Sequence, residues 1–158
     1  MQKNKVLKAS TLAFRLERER RRGKRIVFTN GVYDLIHAGH TTLLEKSKRL
    51  GSILVVGINT DASVRRLKGP QRPLAGQKDR ALVLAALEAV DYVTFFGEDT
   101  PHELIQKLKP DILVKGGDYS AAQIVGRDLV KKVVRIPLVK GRSTSNLIAK
   151  ILKAYGSR

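Results

Sequence analysis

RIVFTNGVYDLIHAGHTTLLEKSKRLGSILVVGI, residues 25 to 58, carries the change of hydrophobic period from which the fold is read. Its first five residues, RIVFT at 25 to 29, form a short apolar run with β-branched side chains and read as a buried strand. From about His40 to Leu50 the spacing turns helical, with Leu43, Leu44, Ser47 and Leu50 on neighbouring turns and Gly51 placed as a C-terminal cap. SILVVGI at 52 to 58 is again a buried strand. A strand apolar on both faces, a helix and a second such strand make a βαβ unit, which belongs to a parallel sheet with right-handed crossovers.

The alternation extends outward from this unit. Upstream, Ser10 and TLAFRLERERRR at 11 to 22 read as an amphipathic helix with Leu12, Phe14 and Leu16 on one side, ended by Gly23. Downstream, after a polar stretch with two prolines, residues 78 to 90 read as a helix, 92 to 96 as a strand and 100 to 109 as a helix. Thr100, Pro101 and Glu103 supply a capping box with proline at the first helical position of that last helix. DILVK at 111 to 115 and VVRIPLV at 133 to 139 read as further strands, and residues 143 to 156 as a closing helix, while 120 to 132 gives no clear pattern. The expected class is α/β: a doubly wound parallel sheet, Rossmann-like, in a single domain. Residues 1 to 24 are expected to form a basic N-terminal helix packed on a domain that spans 25 to 158.

Composition narrows the chemistry. The chain has 158 residues, no cysteine and three histidines, 37, 40 and 102, so a disulfide framework and a thiolate metal site are excluded. No apolar run is long enough to span a membrane and the N-terminus lacks the apolar core of a secretory signal, which makes the cytoplasm the expected location. A formal charge of +17 favours polyanionic partners, either nucleic acid or phosphorylated small molecules.

In doubly wound sheets, ligands collect beyond the carboxyl ends of the strands where strand order reverses. The loops after residues 29, 58, 96, 115 and 139 are therefore the candidates, and four of them carry NGVYDLIHAGH, NTD, GGDY and KGRSTS. In the first, Gly31 lets backbone approach a ligand, and His37 and His40 stand at the start of a helix, whose free amides and dipole favour an anion. Two imidazoles three residues apart, with Gly39 leaving room between them, suit phosphate oxygens. The same pair could hold part of a metal site or cap the helix. GGD could be a plain turn, Ser143, Thr144 and Ser145 an ordinary N-cap cluster, and Lys68 a solvated loop residue. The arginines from 18 to 22 read as a solvated helix face, although a nucleic-acid-binding module without catalysis is a second class of function.

TNGVYDLIHAGH resembles the HxGH signature of the nucleotidyltransferase superfamily, and GRSTSNLI resembles its C-terminal signature. GINTDASVRRLKG, RALVLAALEAVDYV, EDTP and KPDILVKGGDY extend the resemblance toward the heptose 1-phosphate adenylyltransferases of bacterial lipopolysaccharide and surface-glycan synthesis. The resemblance implies transfer of AMP from ATP, with Mg²⁺, to a heptose 1-phosphate, giving ADP-heptose and pyrophosphate. A cytidylyltransferase acting on glycerol 3-phosphate is the alternative. By resemblance, His37, His40 and Lys68 are catalytic, and no residue is assigned as a metal ligand. Thr29, Asn30, Gly31, Arg80, Gly116, Gly117, Asp118, Ser143 and Thr144 bind the nucleotide. Asp34 and Asp61 take structural or metal-orienting work. The partners implied are ATP and a sugar 1-phosphate, with no membrane, nucleic acid unsupported and a homo-oligomer allowed. Relatives often carry a sugar kinase for which this chain has no room, so a stand-alone transferase is expected. Tyr33 stands where phenylalanine is usual.

Overall fold

The computed structural model describes residues 4 to 117 and 120 to 156. Five strands, β1 (Ile26–Gly31), β2 (Ile53–Asn59), β3 (Tyr92–Phe96), β4 (Ile112–Gly116) and β5 (Lys132–Ile136), alternate with helices. The helices are α1 (Ala9–Arg21), α2 (Ala38–Lys48), α3 (Asp61–Lys68), α4 (Gln77–Ala86), α5 (His102–Leu108) and α6 (Thr144–Tyr155). The strands form one parallel sheet in the order β3-β2-β1-β4-β5, so the chain reverses direction of travel at the boundary between β1 and β4. This is the expected α/β, doubly wound architecture.

Alternation within the strands assigns the layers. Val27, Leu54, Val56, Val93 and Val114 pack with Leu44 of α2 and with Ala81 and Leu84 of α4. Their neighbours Ile26, Phe28, Val55 and Leu113 pack on the opposite face with Leu12 and Leu16 of α1 and with Leu104, Ile105 and Leu108 of α5. Both faces are covered, which is why the strands read as continuous apolar runs rather than alternating ones. α1 is tied down further by Arg20, which donates to the carbonyls of Leu108 and Lys109 at 3.0 and 2.9 Å. Arg21 and Arg22 pair along the helix with Glu17 and Glu19. Exposed pairs of this kind contribute well under about 1 kcal/mol each and describe a solvated face.

The ladders are unequal. β1 pairs with β2 over six residues, from Ile26↔Ile53 to Gly31↔Ile58. Against β4 it pairs only at Val27↔Ile112 and Phe28↔Leu113, although β1 runs on to Gly31 and β4 to Gly116. The two central strands therefore part at their carboxyl ends, at the point where strand order reverses.

Several boundaries differ from the sequence expectation for local reasons. The polar stretch after β2 contains α3, capped by the Thr60 hydroxyl, which accepts from the Ser63 amide at 3.4 Å. Only Ser63 and Val64 of that helix are buried, so it writes no apolar stripe into the sequence. α4 stops at Ala86, and β5 occupies 132 to 136 rather than 133 to 139. The N-cap of α5 is Pro101 and no side chain caps it, so the expected Thr100 to Glu103 box is not formed. The segment from 120 to 132 holds two short 3-10 turns, Ala121–Gln123 and Arg127–Leu129. Among the described residues no helix is long and apolar enough to cross a membrane.

Gly51 is not the left-handed cap its position suggested. A Cβ there would lie 2.6 Å from Val27 Cγ2 and 2.8 Å from the Arg25 carbonyl oxygen, so the glycine lets the turn into β2 sit on the base of β1. Gly51→Ala is expected to lower stability by about 1–3 kcal/mol, the usual cost of overpacking. Urea unfolding measures it, and an unchanged midpoint would contradict the close approach.

Candidate functional site

At the carboxyl edge of the sheet, β1 delivers Thr29, Asn30 and Gly31 into a loop that ends at His37, the N-cap of α2. The loop turns sharply at Tyr33, a non-glycine residue with φ of 51°. That left-handed backbone costs on the order of 1–3 kcal/mol and swings the ring inward. The buried ring lies 5.0 Å from the His40 ring, and a Cβ on Gly31 would sit 3.0 Å from the Tyr33 ring. Burial pushes the Tyr33 phenol up to about 12, against a smaller opposing pull from the Thr29 side chain. Thr29 itself is buried at the strand end.

His37 and His40 are stacked, with ring centroids 3.8 Å apart. His37 Nδ1 accepts a hydrogen bond from the Gly39 amide at 3.1 Å, so the ring does cap the helix. An imidazole that accepts at Nδ1 keeps its proton on Nε2, which leaves that nitrogen as a donor. Burial lowers the His37 pKa, with Arg142 adding a like charge nearby. Burial, with His37 as a second cause, brings His40 down to about 4. Both rings are thus neutral at physiological pH. His40 Nδ1 is buried without a hydrogen-bond partner.

The second expected segment lies against the first. Ser143 is the N-cap of α6 and accepts from the Asn146 amide at 3.1 Å, and the Thr144 hydroxyl donates to the Leu35 carbonyl at 3.4 Å. A Cβ on Gly39 would meet the His37 ring at 3.0 Å and Arg142 Cβ at 3.2 Å, so the glycine between the histidines is what allows α6 to approach. His37, Arg142, Ser143, Asn146 and Lys150 line a pocket of about 70 Å³ between the two helix starts. Two helix N-termini, two cations and the neutral His37 donor leave this pocket suited to an anion. Arg142 and Lys150 were not singled out in the sequence; the signal for Arg142 was its place in KGR just before the N-cap.

Across the parting of the sheet, Gly116 ends β4 and Gly117 follows it. Gly117 has φ of 106°, and its amide donates to the Ile136 carbonyl at 3.0 Å. A Cβ on Gly116 would press within 3.2 Å of Leu138 and 3.3 Å of Leu43. Asp118 lies outside the described residues. Lys115 donates from Nζ to Asn30 Oδ1 at 3.2 Å, directly over the gap between β1 and β4.

Two expected residues are placed differently. Lys68 is exposed and closes α3 rather than lying in a loop, with Gly69 following at φ of 96°. Arg80 does not face the cleft. It is 1% exposed, and its guanidinium donates to the carbonyls of Ala75, Val32 and Asn59 at 3.0, 2.6 and 2.8 Å and to Asp61 Oδ1 at 2.8 Å. Asp34 does comparable structural work. Burial opposes its charge, but the amides of Ala75 and Leu74 and the Arg72 guanidinium outweigh that and hold its carboxyl below the usual range. Arg80 and Asp34 together fasten the loop after α3 to the loop that carries the histidines.

The sequence model of a family described as cytidylyltransferase-like matches residues 28–154. The chain is 59% identical over 144 residues to "Bifunctional protein HldE" of Syntrophotalea carbinolica, covering 89% of this chain and 29% of the relative. It is 53% identical over 156 residues to the protein of the same name from Geobacter sulfurreducens, covering 96% of this chain and 32% of the relative. It thus spans about a third of the length of these relatives. Among solved structures, the lipopolysaccharide core biosynthesis protein from Thermoplasma volcanium superposes with a TM-score of 0.65 at 30% identity, over 75% of this chain and 100% of the other.

Arg80→Met is expected to cost roughly 3–5 kcal/mol of stability, because it leaves three carbonyls and a carboxylate without their buried donor. Denaturant unfolding measures this. A variant as stable as the wild type would remove the structural role.

Proposed function

From a chain that belongs to the cytidylyltransferase-like family, we propose an adenylyltransferase that joins AMP from ATP to a heptose 1-phosphate, releasing pyrophosphate and ADP-heptose. The observation that carries the reading is the pair of stacked, neutral imidazoles at the start of α2, held against the start of α6. The relatives named HldE and the lipopolysaccharide core biosynthesis protein support the heptose branch of the resemblance.

A sugar-phosphate oxygen attacks the α-phosphorus of ATP while the bond to the β-phosphate oxygen breaks, and pyrophosphate departs with that electron pair. The protein's task is to align two anions and to offset charge on the reacting phosphorus. His37 Nε2–H and the two helix starts offer donors for phosphoryl oxygens, and Arg142 and Lys150 add positive charge beside them. Lys68, on the exposed end of α3, supplies a cation from the opposite side when ligand closes the cleft. Mg²⁺ arrives as part of Mg-ATP. Bound with the nucleotide, Mg²⁺ would supply positive charge on the phosphates, beside the donors that His37 and the two helix starts offer.

The reading places the reaction in the cytoplasm. A homo-oligomer is compatible with it, with Ile151, Leu152 and Tyr155 of α6 as exposed apolar surface.

Pyrophosphate release across a panel of nucleotides and phosphorylated acceptors tests the assignment. ATP with D-glycero-D-manno-heptose 1-phosphate is expected to be the fastest pair, with CTP slower by roughly 10²-fold or more, because the wrong base leaves polar groups unpaired. Faster turnover of CTP with glycerol 3-phosphate would overturn the heptose assignment and leave nucleotidyl transfer standing.

A further inference from the structure

The least explained charge in the molecule is Lys115. It is the last charged residue of β4, it is only partly accessible, and burial lowers its pKa. An ammonium group taken out of water is costly unless an opposite charge faces it. Among the described residues no carboxylate pairs with it, and its one hydrogen-bond partner is the neutral side chain of Asn30 at 3.2 Å. By contrast, the buried Arg80 has three carbonyls and Asp61, and Asp34 has Arg72 and two amides.

Position supplies the missing partner. β1 and β4 stop pairing after Phe28 and Leu113, and Asn30 and Lys115 stand two residues beyond that point on their respective strands. The hydrogen bond between them therefore crosses the opening where strand order reverses, which is where this class of sheet receives its ligands. An ammonium carries three donors and Asn30 takes one of them. Beside it, Gly116 and Gly117 present backbone without side chains.

We infer that Lys115 is a phosphate-binding residue: its ammonium, steered by Asn30 across the gap between β1 and β4, takes up a phosphoryl group of one of the two substrates. This rests on the phosphoryl-transfer reading above and adds to it a cation on the sheet itself, apart from Lys68 on α3 and from Arg142 and Lys150 at the start of α6 and on it. The anion supplies a countercharge that no carboxylate among the described residues provides, so ligand binding and the lysine's charge support one another. The phosphoryl group belongs either to the nucleotide or to the sugar phosphate, two sources of the same chemistry.

The test uses the full chain with Lys115→Met and Lys115→Arg. Calorimetry with ATP alone and with the sugar 1-phosphate alone gives the affinity for each, and thermal unfolding without ligand gives the stability. Lys115→Met is expected to weaken one of the two ligands by about tenfold or more, the scale of a charged hydrogen bond, and Lys115→Arg to recover most of that loss. The ligand that loses affinity identifies the source. The unliganded melting temperature should stay level or rise in Lys115→Met, since a half-buried cation that faces no carboxylate among the described residues has been replaced by an apolar chain of similar length. A purely structural lysine gives the opposite pattern. Affinities for both ligands within twofold of wild type would overturn the inference, whether or not stability falls. If Lys115→Met does not fold, the wild-type Lys115 ammonium followed by NMR decides: a rise in its pKa on adding either ligand supports the inference, and no change with both overturns it. Wild-type protein that binds ATP but releases no pyrophosphate with a heptose 1-phosphate would sink the reaction assignment alone, because the binding measurements do not depend on turnover.

Discussion

Everything at the candidate site depends on the early end of one ladder. β1 is paired along its whole length with β2 but along only two residues with β4, and from there the two central strands diverge. Had the ladder continued to Gly31 and Gly116, backbone hydrogen bonds would fill the space between them. Instead the carboxyl ends open, α2 and α6 begin beside the opening, and the polar residues at the strand ends face one another across it. The parting follows from topology, since a helix must leave β1 toward one face while the chain that follows β4 leaves in the other direction.

The electrostatics follow from this placement. With +17 overall and cations at Arg142 and Lys150 beside the histidines, protonated imidazoles would be surrounded by like charge. Burial keeps both rings neutral, with Arg142 the second cause at His37 and His37 the second cause at His40, and the Gly39 amide fixes the His37 proton on the nitrogen turned away from the helix. A neutral donor beside permanent cations needs no change of protonation to receive a phosphate. Stability is spent on this arrangement in the left-handed Tyr33 and the unpartnered His40 Nδ1, and such features collect where a site over-determines its backbone.

Much of this was legible in the chain itself. Strands buried on both faces announce a parallel sheet, and the loops after Thr29, Lys115 and Val139 do meet at one edge. What escaped had physical reasons. α3 is only eight residues long and buries one apolar side chain, so it passes for part of a polar loop. Arg80 reads as an anion ligand in sequence because nothing local reveals that the carbonyls of Val32 and Asn59, far away in the chain, converge on it with that of Ala75. Lys115 passes for the polar end of a strand until the register shows what it spans. Lys68 reads as a loop residue in sequence because its neighbours Gly69 and Pro70 hide that it closes a helix.

The central claim is that the two imidazoles act on phosphate rather than on the fold. Its most direct test is turnover of His37→Ala and His40→Ala, each measured beside its own urea unfolding curve. Loss of a preorganised donor predicts a fall of roughly 10²-fold or more in each while the protein remains folded. Folded variants that keep full turnover would contradict the account.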